Sequence, residues 1–496
     1  LISCTDLDEK LNDSIPVTQQ GAVDLQQLLN GAYGNLRDLQ SQDNLMSLVS
    51  HSTDEMAGPT RGRDWDDAGI WRVLHTHRWT TAHPYVNSVW RTLNRNAFNA
   101  QQVLCNGATG QIKAEATFLR VFNDFMTLDL YGQIPRRACN ENLINPPSAL
   151  LTRANAPDVL IGELEAVLAD LPDAGGAAKA TKNAARALLC KLYLNKAVYT
   201  ATSTEGGANE GPYTFAAADM NKVISYADAI TGFTLDNNYF DNFIPDNGAQ
   251  SSELIFVSEN TSGASAGNVR SLWHQTLHYN QNPSGWNGFV ALTDLYNRFE
   301  AADSRRETDL SYLGANNSGL HAGFLVGQQL NGAGDPLNDR AGNPLIFTPE
   351  FSLLETGANL EVTGIRVIKY PPDFTTPGDA ADNDYVFLRY ADVRLMKAEA
   401  ILRGGTAAET ALDIVNQLRT VRGASTLGAL TLDVLLDERS RELYWEGWRR
   451  NDLIRFSKFL GTWQAKDQPS DASRLLFPLP AEAISTNPNL VQNPGY

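Results

Sequence analysis

Apolar side chains recur at helical spacing in two blocks of this chain, with a long aperiodic stretch between them. In Asp24–Leu39, the residues Leu25, Leu28, Leu29, Ala32 and Leu36 fall on one stripe of a helix, with Asp24 placed to start it. The same period runs through Trp79–Asn99 and Lys113–Tyr131. In the latter, Phe118, Val121, Phe122, Phe125 and Leu128 share a face, and Gly132 with Pro135 ends the run. It continues through Ala156–Leu171, Lys182–Tyr199 and Asp219–Ile230. Residues 58–69 (GPTRGRDWDDAG) read as loop. Between Leu235 and Asp384 the period fades and Asn, Gly, Asp and Pro become common. There Glu253–Glu259 reads as a short strand, Leu292–Ala301 as a helix and Ser311–Gly364 as loop with small strands. Helical order returns at Tyr385 and lasts to about Leu460, before an irregular Pro- and Asn-rich tail.

Antiparallel helix pairs of roughly 34 residues suggest tetratricopeptide-like repeats. Ala185, Leu188, Leu189, Leu192 and Tyr193 supply the small-plus-large set that one packed helix needs, as Ala391, Leu395, Ala398 and Ala400 do later. The expected fold is therefore mainly α: a tetratricopeptide-like helical repeat scaffold with long irregular loops and small β elements. Residues 1–20 form an N-terminal tether and 21–496 one domain. Its scaffold is 21–235 and 385–460, its loop-rich insertion about 236–384, and its tail 461–496. Long ordered loops on such a scaffold commonly carry function.

Charge narrows the function classes. A formal net charge of −17 argues against a nucleic-acid partner and against a polybasic membrane patch, but a neutral ligand is indifferent to it. No apolar run is long enough to span a bilayer as a helix. Cys105, Cys139 and Cys190 are far apart and are expected to be small buried apolar residues, with a disulfide between two of them open in an oxidising compartment.

Motifs for catalysis are weak. Glu438, Glu442 and Glu446 fall at i, i+4, i+8 and would repel on one helix face. Arg439, Arg441, Arg449, Arg450 and Arg455 are at hand to neutralise them, so a structural ion network is expected rather than a metal site. Gly263–Gly267 matches G-x-S-x-G, but no strand runs directly into it and no helix leaves it. His75 and His77 have poor metal spacing. No nucleotide, zinc or calcium motif occurs, and no cofactor is expected. A glycoside hydrolase would need two carboxyl groups across a cleft, and no motif proposes the pair.

Aromatics in loops are more informative. Trp65 and Trp71 flank Asp64, Asp66 and Asp67, with Arg61 and Arg63 just before; Trp273, His274, His278, Tyr279, Trp286 and Phe289 crowd the middle. A sugar ring offers an apolar C–H face for an aromatic plane and a hydroxyl rim for Asp, Asn and Arg. Any one of these indoles more often packs a loop onto the scaffold, yet the group is expected to include a binding aromatic. The candidate ligand contacts are Arg61, Asp64, Trp65, Asp67, Trp71, Trp273, Tyr279 and Trp286. Trp79, Trp90, Trp445 and Trp448 sit in helical pattern and are expected in the core.

The chain opens Leu1-Ile2-Ser3-Cys4, which fits a bacterial lipobox, followed by a polar tether. Cys4 is the expected lipidation site, and acyl chains at about 0.8 kcal/mol per methylene would anchor the protein. Several further segments, taken in order, resemble the SusD/RagB family. They are Ala114–Pro135 ending in Tyr-Gly-x-x-Pro, Lys182–Asn195, Phe299–Arg306 with its Asp-x-Arg, and Lys369-Tyr370. The hairpin from Arg389 through Ala411, the charged helix from Glu438 and the tail from Leu476 to Tyr496 follow. Arg394 and Lys397 depart from the family's apolar preference and are expected on an exposed face. The resemblance implies a non-enzymatic lipoprotein on the outer surface of a Bacteroidetes-type bacterium. It would capture a nutrient and deliver it to a SusC-like TonB-dependent transporter. An oligosaccharide is the expected ligand, with peptide capture as the alternative.

Overall fold

The computed structural model describes residues 23–201, 203, 207–262, 267–310, 318–375 and 381–496. Cys4, the lipobox and the tether, together with residues 263–266 of the G-x-S-x-G match, lie outside them. The first helix, Leu25–Gly34, starts where the Asp24 carboxylate accepts from the amides of Gln26 and Gln27, and it tightens into a 3₁₀ turn over Asn35–Gln40. Against it packs Pro84–Cys105, then Gly110–Tyr131, Ala156–Val167, Lys182–Thr200 and Ala217–Asp228, each antiparallel hairpin stacked on its predecessor. Tyr390–Leu402 docks directly on Ala217–Asp228 and is followed by Ala411–Val421 and Leu432–Leu443. The helical stack is therefore continuous although the chain leaves it for the whole insertion.

A short clasp marks the neck of that insertion. Leu254–Ser258 pairs antiparallel with Tyr385–Arg389, Val386 opposite Val257 and Leu388 opposite Phe256. Phe256 and Phe387 from the clasp meet Phe118 and Phe122 of Gly110–Tyr131 at ring separations of 4.8–5.5 Å, which ties the neck to the scaffold. Beyond it, Glu307–Asp309, His321–Leu325 and Arg366–Ile368 form a three-stranded antiparallel sheet. Two-residue ladders join Met56–Ala57 to Val290–Ala291, and Thr60–Arg61 to Leu354–Glu355.

Several boundaries differ from the sequence expectation. The second long helix begins at Pro84, not Trp79, because proline belongs in a first turn and the His83 ring accepts from the Tyr85 amide. Tyr385–Arg389 is strand, its Val and Phe side chains fully buried in the clasp. The helix expected over Leu292–Ala301 shrinks to Thr293–Tyr296, since the chain turns to send Asp303 and Arg305 inward. Short helices form at Leu45–His51 and Ile70–His75. Cys105 and Cys139 are bonded to each other rather than packed as free thiols, and Cys190 is free and buried. Lys397 is buried rather than exposed, paired with Asp228 and Glu409, and Arg394 holds Glu409 at 2.7 Å.

The glutamate row sits at the centre of a buried ion network. Glu442 faces three guanidiniums, Arg389 at 2.6 Å, Arg422 at 2.8 Å and Arg305 at 3.0 Å. Glu438 pairs with Arg305, Arg419 and Arg441. Glu446, past the helix end, pairs with Arg389 and Lys369. Of the five arginines expected to neutralise the row, only Arg441 does so. Arg439 goes to Asp392 and Asp452, Arg449 to Asp54, Arg450 to Asp129, and Arg455 to Glu399 and Asp452. Arg305 and Lys369 belong to the insertion, so the network fastens it to the helices. Among the described residues no group of His, Cys, Asp and Glu could hold a metal ion, and no helix is long and apolar enough to cross a membrane.

Candidate ligand-binding site

Three loop stretches converge outside the clasp: residues 61–65, 274–288 and 340–363. Two buried arginines rivet them. Arg61 donates to the carbonyls of Asn287 (3.0 Å), Leu360 (2.6 Å) and Thr363 (2.8 Å) and to the Thr363 hydroxyl (2.6 Å). Arg366 donates to Asn287 Oδ1 (2.7 Å) and to the carbonyls of Thr363, Gly364 and Glu361. Neither has a carboxylate in ion-pair contact among the described residues. Burial depresses both, Arg61 to about 10. Carbonyls rather than charges solvate them, so each guanidinium acts as a multi-armed clamp on backbone from different segments.

The segment after Arg61 is tightly coiled. Trp65, Asp67 and Ala68 hold left-handed φ of 62°, 39° and 52°, at about 1–2 kcal/mol each for residues with a Cβ. Surrounding bonds hold them there. The Arg61 amide donates to Asp64 O and the Asp64 amide to Arg61 O, Trp65 Nε1 donates to the Trp286 carbonyl at 2.8 Å, and Trp71 Nε1 donates to Asp67 Oδ2 at 2.8 Å. Such strain concentrates where a side chain must be presented in one orientation.

What is presented is a pair of indoles with a polar rim. Trp286 is 45% exposed, set edge-on to the His274 ring at 4.6 Å, and lies 6.4 Å from Trp65 at 50° between planes. Trp65 is half-buried on Phe289 and Trp71. Beside them the Tyr279 hydroxyl donates to Asp64 at 3.2 Å. The Arg340 guanidinium lies 3.8 Å over the Tyr279 ring and reaches Asp64 (3.4 Å) and Glu361 (2.5 Å). Burial raises Glu361, but hydrogen bonds from Arg340 and His278 outweigh it and keep the carboxyl below the usual range. The surface thus pairs an apolar aromatic floor with fixed charged donors and acceptors, the combination that sugar rings require.

The predicted residues divide sharply by depth. Asp64, Trp65, Tyr279 and Trp286 share this surface. Arg61, Trp71 and Trp273 are buried and present no face to solvent. Trp71 is wedged between His51, Tyr85 and Phe289 and braces Trp65 from below. Asp67 is exposed but has one oxygen committed to Trp71. Arg340 and Glu361 escape sequence reasoning, because no periodicity or motif singles them out of their long loop. Trp79, Trp90, Trp445 and Trp448 are buried in the scaffold, and His75 and His77 are buried on backbone carbonyls.

Residues 252–496 match the family model described as SusD family. The chain is 27% identical over 431 residues to the starch-binding protein SusD of Bacteroides thetaiotaomicron, covering 77% of this chain and 72% of that one. It is 22% identical over 545 residues to SusD-like protein P2 of Formosa agariphila, covering 100% and 97%. Among solved structures, surface glycan-binding protein A from Bacteroides fluxus superposes with a TM-score of 0.70 at 18% identity over 96% of this chain and 100% of that one. Surface glycan-binding protein A from Bacteroides thetaiotaomicron in complex with laminarihexaose gives 0.65 at 16% identity over 95% and 98%.

Proposed function

Since the chain belongs to the SusD/RagB family and has its helical fold, we propose that it is an outer-membrane lipoprotein. It captures an oligosaccharide and delivers it, unaltered, to a SusC-like TonB-dependent transporter. The observation that carries the reading is the exposed Trp286 beside Trp65, rimmed by Asp64, Tyr279 and Arg340 and locked by Arg61 and Arg366. One relative is named as starch-binding and one structural neighbour holds laminarihexaose, which supports a glycan as the ligand. Capture needs only stacking and hydrogen bonds, both reversible, so ligand can be passed on without covalent chemistry. Anchoring would be through Cys4.

The test is a glycan and peptide array probed with a soluble form lacking Cys4, followed by calorimetry on hits. The expected result is binding to an oligosaccharide with no release of reducing ends, weakened about tenfold or more by Trp286→Ala, the usual loss for a central aromatic contact. Binding confined to peptides, or turnover of the glycan, would replace the reading with peptide capture or hydrolysis.

A further inference from the structure

The rim of the aromatic platform is wired through a buried imidazole. The His278 ring is closed to solvent, whereas the Arg340 side chain is 49% exposed. His278 Nδ1 lies 3.1 Å from the amide nitrogen of Asn280, and Nε2 lies 2.8 Å from Glu361 Oε2. A backbone amide can only donate, so Nδ1 must be the nitrogen that accepts. The ring proton is thereby placed on Nε2, which donates to Glu361. Burial holds the ring below its ordinary protonation range, and Arg366 and Arg340 add to this against the pull of Glu361. Asp339 and Tyr279 are the other titratable groups beside it. At neutral pH the imidazole is therefore uncharged and carries its one proton in one place.

Glu361 passes this order outward. Its Oε2 also accepts from the Arg340 amide at 3.1 Å, and its Oε1 accepts from Arg340 Nε at 2.5 Å. Arg340 then lies over the Tyr279 ring, and its Nη2 reaches Asp64, which is also the acceptor of the Tyr279 hydroxyl. Tyr279 follows His278 in the chain, so these contacts close into a circuit. Within it Arg340 Nε faces Glu361 and Nη2 faces Asp64, while Nη1 has no partner among the described residues and is the donor left for a ligand. A long side chain on a loop must ordinarily be ordered when it binds, at a cost in rotamer entropy. One already held between two carboxylates and a ring loses less on meeting a ligand.

We infer that Arg340 is a ligand-reading donor of the platform, offering Nη1 to sugar hydroxyls beside the indole pair, and that His278 is its positioning residue, acting through Glu361. The ligand in this inference rests on the glycan reading; the clamp on Arg340 does not. Both are tested on the full chain. Nitrogen NMR of the histidine rings should show the His278 proton on Nε2. The Arg340 Nε proton, identified by its loss in Arg340→Lys, should exchange slowly with solvent. His278→Asn keeps an acceptor for the Asn280 amide but is too short to reach Glu361, so the Arg340 Nε proton should exchange fast. His278→Gln restores a donor to Glu361 and should restore slow exchange. Calorimetry with maltohexaose and laminarihexaose should follow the same order. His278→Asn and Arg340→Ala should each lose about tenfold or more in affinity, the scale of a lost charge-assisted hydrogen bond, and His278→Gln about twofold or less. A proton on Nδ1, equal exchange in wild type and both His278 variants, or equal affinity in wild type and His278→Asn would overturn the inference. If neither hexaose bound the wild type while the exchange pattern held, the positioning role of His278 would be upheld, and the glycan reading would fall with Arg340's part in it.

Discussion

A single glycine shows how narrowly Trp65 is held. A Cβ built on Gly288 would lie 2.3–2.8 Å from three atoms of the Trp65 indole, well inside contact distance. Gly288→Ala should therefore tilt or eject Trp65 without touching Trp286, breaking the Nε1 bond to the Trp286 carbonyl. The expected outcome is a loss of glycan affinity comparable to Trp65→Ala, read by calorimetry beside a near-native circular dichroism spectrum. Unchanged affinity would mean that the Trp65 face does not matter. The same residues show what was legible in the sequence. Tryptophan among Gly, Asn and Asp located the surface, because such loops cannot bury every indole. Composition could not separate Trp286 from Trp71. Trp71 is buried by Phe289 and Tyr85, which are brought together only by the fold. Arg340 and Glu361 were invisible for the same reason, since their role rests on Tyr279 and His278 arriving from another segment.

At the scale of elements, the helices were legible because periodicity and caps are local, and the insertion's attachment was not. One part of the ion network could have been read. Arg441, three positions after Glu438, stands at pairing distance on the helix and does pair with it, whereas Arg439, directly after Glu438, points away from it. The arginines that do the work come from the clasp, the Ala411–Val421 helix end and the insertion. Glu442 is the hub where all three meet. Glu442→Gln would leave three buried guanidiniums short of a counter-charge, and breaking a buried pair in this way costs about 3–5 kcal/mol. Because Arg305 and Arg389 link the insertion and its neck to the scaffold, the loss should be felt there first. Hydrogen exchange should speed up in Arg366–Ile368 and His321–Leu325 before it does in Lys182–Thr200. Uniform acceleration across all helices would show that the network stabilises the whole stack rather than the attachment.

For the whole molecule, buried carboxyls pull stability in two directions with pH. Burial opposes ionisation of Glu438 and Asp452, but their guanidinium partners outweigh it and hold both down to about 2. They release protons more readily folded than unfolded, so their stabilisation is full above the unfolded values near 4 and is lost as pH falls toward 2. Glu55 behaves oppositely. It is buried with one oxygen unpartnered, the other accepting from the Trp445 amide, and burial pushes it up to about 8. Asp384 follows at about 7. Between the unfolded value near 4.5 and pH 8 the unfolded chain has shed the Glu55 proton and the folded one keeps it, so this contribution to stability falls as pH rises. Burial also lowers Lys369 and Lys466 to about 8, and above that their deprotonation begins to offset the trend. Burial likewise holds His51, His75, His77, His83 and His278 below their ordinary value. Below about pH 6.5 the unfolded chain therefore binds protons that the folded one does not, and stability rises with pH there. The fall due to Glu55 and Asp384 should emerge only above that. Glu55→Gln removes the proton while keeping an acceptor for the Trp445 amide. Each step of one in pH above the unfolded value withdraws roughly 1.4 kcal/mol from the wild type, so at pH 7 the variant should be more stable by about 3 kcal/mol. At pH 4 the two should match. Urea unfolding at the two pH values decides the matter: an equal gain at both, or a loss at pH 7, would mean that Glu55 is held ionised by Arg449 and belongs to the ion network after all.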